Sequence, residues 1–237
     1  MPTSRRGRSV IQWIERQLRL GLPGYCAFCL GEVKPGRAWC GPCFAALPWN
    51  HHACRLCAEP LTFTAATRCR ECLALPPAFA RAHAPLLYQE QIRPLMHAFK
   101  FNGEPRAGLL LMMLFMQTLQ GCPSEALLPV PLHLNRSRER GFNQSQWLAK
   151  QLHKAWDRPL MNARRVVDTP SQRLLGRSAR RRNLEGVFAV TSRLPKRVAI
   201  IDDVLTTGAT AHALALAAKE AGAEEVTVYA LARTPRG

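Results

Sequence analysis

Three groups of residues in this 237-residue chain have the types and spacing to do chemistry. The first lies near the C-terminal end, where the apolar run Val198-Ala199-Ile200-Ile201 stops at Asp202 and Asp203 and is followed by Thr206, Thr207, Gly208, Ala209 and Thr210. Such a run reads as a strand buried on both faces of a parallel sheet, and the alanine-rich stretch Ala211 to Ala221 reads as a helix. The small residues between them leave backbone N–H groups exposed at a helix N-terminus, where the peptide dipoles favour a phosphate. Two carboxylates would repel that phosphate, so their partners must be neutral hydroxyls close by. A ribose 5-phosphate supplies both, with vicinal hydroxyls for Asp202 and Asp203 and a 5-phosphate for the Thr206 to Thr210 turn. The plainer alternative is a strand-turn-helix with an acidic N-terminal cap.

The second group is cysteine. Eight of the nine cysteines form four C-x-x-C pairs: Cys26/Cys29, Cys40/Cys43, Cys54/Cys57 and Cys69/Cys72. One such turn offers two thiolates to a tetrahedral Zn²⁺, and two turns close the shell without a position for water, so these read as structural sites. Sequential pairing puts Cys26, Cys29, Cys40 and Cys43 on one zinc and Cys54, Cys57, Cys69 and Cys72 on another, a double zinc ribbon; interleaved pairing remains open. Disulfides are the competing reading, disfavoured by the lack of a secretory signal. His51 and His52 are read as loop residues and Cys122 as a partly buried spectator. The segment is poor in aliphatic residues, so metal binding must supply much of its folding energy.

The third group is Arg136, Arg138 and Arg140, ahead of Gly141-Phe142-Asn143-Gln144-Ser145. Guanidinium forks suit the oxygens of a diphosphate, although a solvated basic turn would look the same. The strand, the acid pair and the Thr-Thr-Gly-x-Thr turn resemble the phosphoribosyl pyrophosphate (PRPP) motif of type I phosphoribosyltransferases. That resemblance implies a second anion site, for pyrophosphate with bridging Mg²⁺, which the arginines would provide. The basic stretch Asp168 to Glu185 resembles the mobile loop that closes over PRPP in those enzymes, and it equally fits a surface facing nucleic acid.

These groups need elements to hold them. Ala84 to Tyr88 reads as a strand, Ile92 to Phe101 as an amphipathic helix, Arg106 to Gln120 as a helix with a core of methionine and leucine, and Leu127 to Leu132 as a strand ending in a proline bend. Asn143 or Ser145 can cap the next helix. Leu160 to Val167 reads as a further strand, Phe188 to Val190 as one returning to the sheet, and Val226 to Ala232 as the strand that closes the domain. Lys100, at a helix end, is read as complementing the dipole rather than meeting a ligand. The expectation is an α/β fold, a phosphoribosyltransferase-like, parallel-centred sheet flanked by helices and preceded by a small double zinc ribbon. Leu73-Ala74-Leu75-Pro76-Pro77 marks the boundary, giving a basic amphipathic arm over 1–23, the ribbons over 24–75 and the α/β domain over 76–237.

Taken together, the ribbons, the Phe-Lys-Phe segment Phe99 to Phe101, the Pro-Val-Pro strand end, Arg140-Gly-Phe-Asn-Gln144 and the Asp202-Asp203 motif resemble the ComF family, over about residues 24 to 234. The family resemblance implies a PRPP-binding protein acting in DNA uptake or the use of external DNA. The alternative is an active phosphoribosyltransferase transferring ribose 5-phosphate to a nitrogen nucleophile with release of pyrophosphate; the residues name neither a general base nor an acceptor pocket.

Composition sets bounds on this reading. An apolar fraction of 47% builds a core and excludes a disordered chain, and a net charge of +17 favours polyanions, including single-stranded DNA, as partners; the family resemblance implies a protein of DNA uptake or processing as a further partner. Val10 to Leu22 is interrupted by Glu15, Arg16, Gln17 and Arg19, and Leu109 to Leu119 is too short to span a bilayer. The expected location is therefore the cytoplasm.

Overall fold

The computed structural model describes residues 24–63, 65–119, 121–132, 142–166 and 186–236. The basic arm, Arg136, Arg138, Arg140 and the whole Asp168 to Glu185 stretch lie outside the described residues.

The two longest strands, β6 (Arg197–Leu205) and β7 (Glu225–Arg233), pair in parallel and form the centre of a five-stranded sheet. β3 (Ala126–Pro129) extends it beside β6, while β1 (Arg81–His83) and β2 (Leu86–Leu87) both lie along β7. Every pairing in this sheet is parallel, which requires crossovers and cover on both faces.

Side-chain alternation builds two cores. Ala199, Ile201, Tyr229 and Leu231 face the layer of α3 (Ile92–Phe101), α4 (Pro105–Met116) and α5 (Gln144–Trp156). Val198, Ile200, Val226 and Val228 face α6 (Ala209–Glu220) on the other side. Both faces of β6 are thus apolar until residue 202, the reason its sequence shows a run instead of an alternation. At Gly108, α4 comes so close to its neighbours that a Cβ would sit 2.6 Å from the Phe99 ring and 3.1 Å from Trp147.

The expected strand Ala84 to Tyr88 is corrected to two short ones, with Ala84 and Pro85 between them; proline has no N–H to give a ladder. The expected strand Leu160 to Val167 contracts to β4 (Ala163–Arg165), antiparallel to β5 (Phe188–Val190). This pair forms a separate sheet rather than returning to the main one. Arg164 is exposed, and a strand wetted on one face suits an antiparallel pair better than a covered parallel layer.

Ahead of the sheet, two short helices, α1 (Gly41–Ala45) and α2 (Arg70–Ala74), begin directly after Cys40 and Cys69. Among the described residues, no helix is long and apolar enough to cross a membrane.

Candidate functional site

The acid pair sits at the carboxyl end of β6, where ligands gather in open parallel sheets. Asp202 remains in register with Ala230 of β7, so its position is fixed by the ladder. Its Oδ1 accepts a hydrogen bond from Ser145 Oγ at 3.1 Å and from the Asp203 N–H at 2.9 Å. Asp203 meets Lys100, with Nζ 3.0 Å from Oδ2 and both side chains only 13% exposed, which marks this pair as partly desolvated. Burial first, and the Asp203 charge second, push the Asp202 carboxyl up to about 7; the Asp203 N–H, Lys100 and Ser145 act against that rise.

Elements distant in sequence deliver these partners. Asn143 caps α5, its Oδ1 accepting from the Gln146 N–H at 3.1 Å, and its amide donates to the Val130 carbonyl at 3.1 Å. The cap frees Ser145 to reach Asp202. Gln144, 1% exposed, donates to the Lys100 carbonyl at 3.2 Å and so ties the end of α3 to the start of α5. Phe99 packs edge-on against Phe142 and Trp147, at centroid distances of 5.6 and 5.1 Å, and holds the same junction from the apolar side.

Beyond the acids, the chain turns through Thr206, Thr207 and Gly208 into α6. Gly208 has φ +75° and stands at the N-cap, a left-handed conformation that glycine adopts without strain. Thr207 Oγ1 accepts from the Ala209 N–H at 3.3 Å. The N–H groups of Thr206, Thr207 and Gly208 find no acceptor among the described residues. Three free donors at a helix N-terminus form a concavity for an anion. Thr206 is exposed, Thr207 and Thr210 are partly exposed, and Gly208 and Ala209 are buried beneath them.

The cysteines gather in sequential order, Cys26 with Cys29, Cys40 and Cys43, and Cys54 with Cys57, Cys69 and Cys72, each set with its sulfurs within 4.8 Å of one another. Tetrahedral Zn–S bonds of about 2.3 Å put sulfurs about 3.8 Å apart. The Cys29–Cys40 and Cys57–Cys69 sulfurs are separated by 3.8 and 3.6 Å, a fit to zinc and too long for a disulfide. None of the nine cysteines is in a disulfide. In the second tetrad the Cys57 and Cys72 thiols donate to Cys54 and hold it well below the ordinary thiol range, the charge a metal would neutralise.

The two knuckles repeat each other closely. Leu30 donates to the Cys26 carbonyl at 3.0 Å and Ala58 to the Cys54 carbonyl at 2.8 Å, and these residues hold φ +60° and +56°. The tetrads differ in depth: Cys54, Cys57 and Cys72 are buried, whereas Cys29 is exposed.

The acids and the turn stand together at the carboxyl end of β6, and the cysteines gather in the sequential pairing rather than the interleaved one. Neither Lys100 nor Ser145 was placed at the acids. Lys100 stands in the last turn of α3, as the dipole reading expects, and its amine also faces Asp203; the Phe-Lys-Phe context is the signal for that second contact. Ser145 was weighed as a helix cap, a task that Asn143 performs.

Residues 17–73 match the double zinc ribbon domain family. Competence protein F of Haemophilus influenzae is 31% identical over 91% of this chain and 93% of its own length. DNA utilization protein YhgH of Escherichia coli K12 is 33% identical over 91% of this chain and 99% of its own, and competence protein ComFC of Bacillus subtilis is 28% identical over 85% and 87%. The likeness to the first two covers about nine-tenths of the chain at more than 30% identity, and the chain belongs to the ComF family.

Proposed function

We propose that the chain binds phosphoribosyl pyrophosphate at the end of β6 and works in DNA uptake or the use of external DNA. One observation carries the binding reading: a carboxylate pair is followed, two strand residues later, by a turn whose three N–H groups find no acceptor among the described residues. Asp202 and Asp203 take the ribose hydroxyls, and the turn from Thr206 to Thr210 takes the 5-phosphate. Lys100, beside Asp203, adds positive charge where the anionic ligand enters. Arg136, Arg138 and Arg140 serve the pyrophosphate.

Mg²⁺ prefers oxygen donors and is commonly held by one or two carboxylates together with substrate phosphates, a set that the acid pair and PRPP complete between them. When bound, Mg²⁺ would supply charge neutralisation for the pyrophosphate, with Asp202 and Asp203 as the side chains that would hold it. The two zinc ions are structural, since four thiolates leave no open coordination position.

The DNA reading rests on the names of relatives, which refer to competence and DNA utilization, and on the net charge of +17. Calorimetric titration with PRPP and Mg²⁺ tests the site: Asp202→Asn with Asp203→Asn should abolish measurable binding, and unchanged affinity in the double variant rejects the assignment. Single-stranded DNA titrated at several salt concentrations tests the partner; retention should weaken steeply as salt rises, and no retention near physiological ionic strength rejects a direct DNA contact.

A further inference from the structure

The side chain of Arg233, at the end of β7, is 1% exposed. A guanidinium is buried at a steep penalty unless paired, and its partner here comes from the second ribbon: Nη2 meets Glu59 Oε2. Glu59 follows Cys57 by two positions, and its carbonyl accepts from the Cys54 N–H at 2.7 Å, so its backbone belongs to the metal-binding knuckle. The other carboxylate oxygen accepts from the Arg236 N–H at 2.9 Å.

The second arm of Arg233 points at the anion turn. Nη1 donates to the Leu205 carbonyl at 2.6 Å, and the Thr234 N–H donates to that same oxygen at 3.0 Å. Because a trans peptide is planar, fixing the Leu205 C=O fixes the Thr206 N–H in the opposite direction, and that N–H is the first free donor of the turn. A second tie runs alongside: the Ala78 N–H donates to His212 Nδ1 at 3.0 Å, joining the segment after the ribbons to the first turns of α6.

We propose that the Glu59–Arg233–Leu205 clamp makes the second sulfur tetrad a positioning element for the phosphate turn, so that metal occupancy at Cys54, Cys57, Cys69 and Cys72 sets the affinity for a phosphorylated pentose. The ligand half of this statement rests on the function proposed above. The clamp itself does not. Glu59 and Arg233 are positioning residues, acting on the ligand through the Leu205–Thr206 peptide.

The test uses the full chain as wild type, Glu59→Gln, Cys69→Ser and, as a charge-matched control at the opposite end of β7, Glu225→Gln. Two quantities are read: amide order parameters of Thr206, Thr207 and Gly208, and the Kd for ribose 5-phosphate. In Glu59→Gln and Cys69→Ser the order parameters should fall from about 0.85 toward 0.6, and ribose 5-phosphate should bind about tenfold more weakly. Glu59→Gln should keep its full complement of zinc while Cys69→Ser loses one ion. Order parameters and Kd matching those of Glu225→Gln overturn the clamp. If ribose 5-phosphate fails to bind the wild type, the ligand assignment falls and the order parameters alone decide the clamp. If Glu59→Gln does not fold, Glu59→Gln with Arg233→Met replaces it, because this pair leaves no buried charge unpaired; rigid Thr206 to Gly208 amides in that variant overturn the proposal.

Discussion

Asp202→Asn should stabilise the ligand-free protein in a way that depends on pH. The wild-type carboxyl titrates near 7 when folded and near 3.8 when unfolded, so the folded state holds a proton that the unfolded state has already released. Stability is therefore fully present below pH 4, declines as pH rises, and has lost this contribution above pH 7. The slope in that window is about 1.4 kcal/mol per pH unit, which accumulates to roughly 4 kcal/mol. Asp202 keeps some contact with solvent, and screening there reduces the expected difference to about 2 kcal/mol at pH 8. Asparagine avoids the charge but keeps the shape, so the variant should approach the wild type as pH falls toward 4 and exceed it at pH 8. Urea unfolding of both proteins at half-unit pH intervals measures the gap, and any metal lost in acid affects both equally. In the same window PRPP should bind the wild type more tightly as pH rises to 7 and then level off, since pentose hydroxyls donate best to the ionised form. A stability gap that is flat from pH 4.5 to 8, or one that narrows toward high pH, refutes the burial argument.

Gly108→Ala places a methyl 2.6 Å from the Phe99 ring; overpacking of about 1–3 kcal/mol should outweigh the roughly 1 kcal/mol gained in helix propensity. Urea unfolding should show a net loss, and PRPP should bind more weakly because Lys100 follows the displaced ring. Native mass spectrometry should find two Zn²⁺ per folded chain, with Cys40→Ser and Cys69→Ser each removing one. Structural zinc supplies about 10–16 kcal/mol in small fingers, so stripping both ions with a strong chelator should unfold residues 24–75, and a ribbon circular dichroism signal unchanged by the chelator would reject the assignment.

The parts legible in the sequence are those whose signal is local. β6 declares itself because both of its faces are covered, and the turn because hydroxyl and glycine residues must follow a strand end that binds an anion. The cysteine pairs are legible because each knuckle is closed over four residues. What escaped depends on partners far along the chain. Lys100 reads as an ordinary helix end until α5 brings Gln144 against its carbonyl and β6 brings Asp203 against its amine. Arg233 lies just past the expected strand Val226 to Ala232, and only the approach of Glu59, 174 residues away, shows why it is buried. The β4–β5 pair escaped for a subtler reason: three-residue strands carry too little pattern to show which sheet they join.

The order of pairing in the main sheet bears on how the chain is made. β1 and β2 must wait for β7, and β3 must wait for β6, so a ribosome has released nearly two hundred residues before any two strands of this sheet can meet. Until then the apolar side chains of α4, Leu110 to Phe115, have no layer to cover them and are open to chaperones or to neighbouring nascent chains. The cysteine knuckles close on local contacts and can take up their metal long before. A folded foothold thus forms at the front of the chain while the α/β sheet still lacks its two central strands.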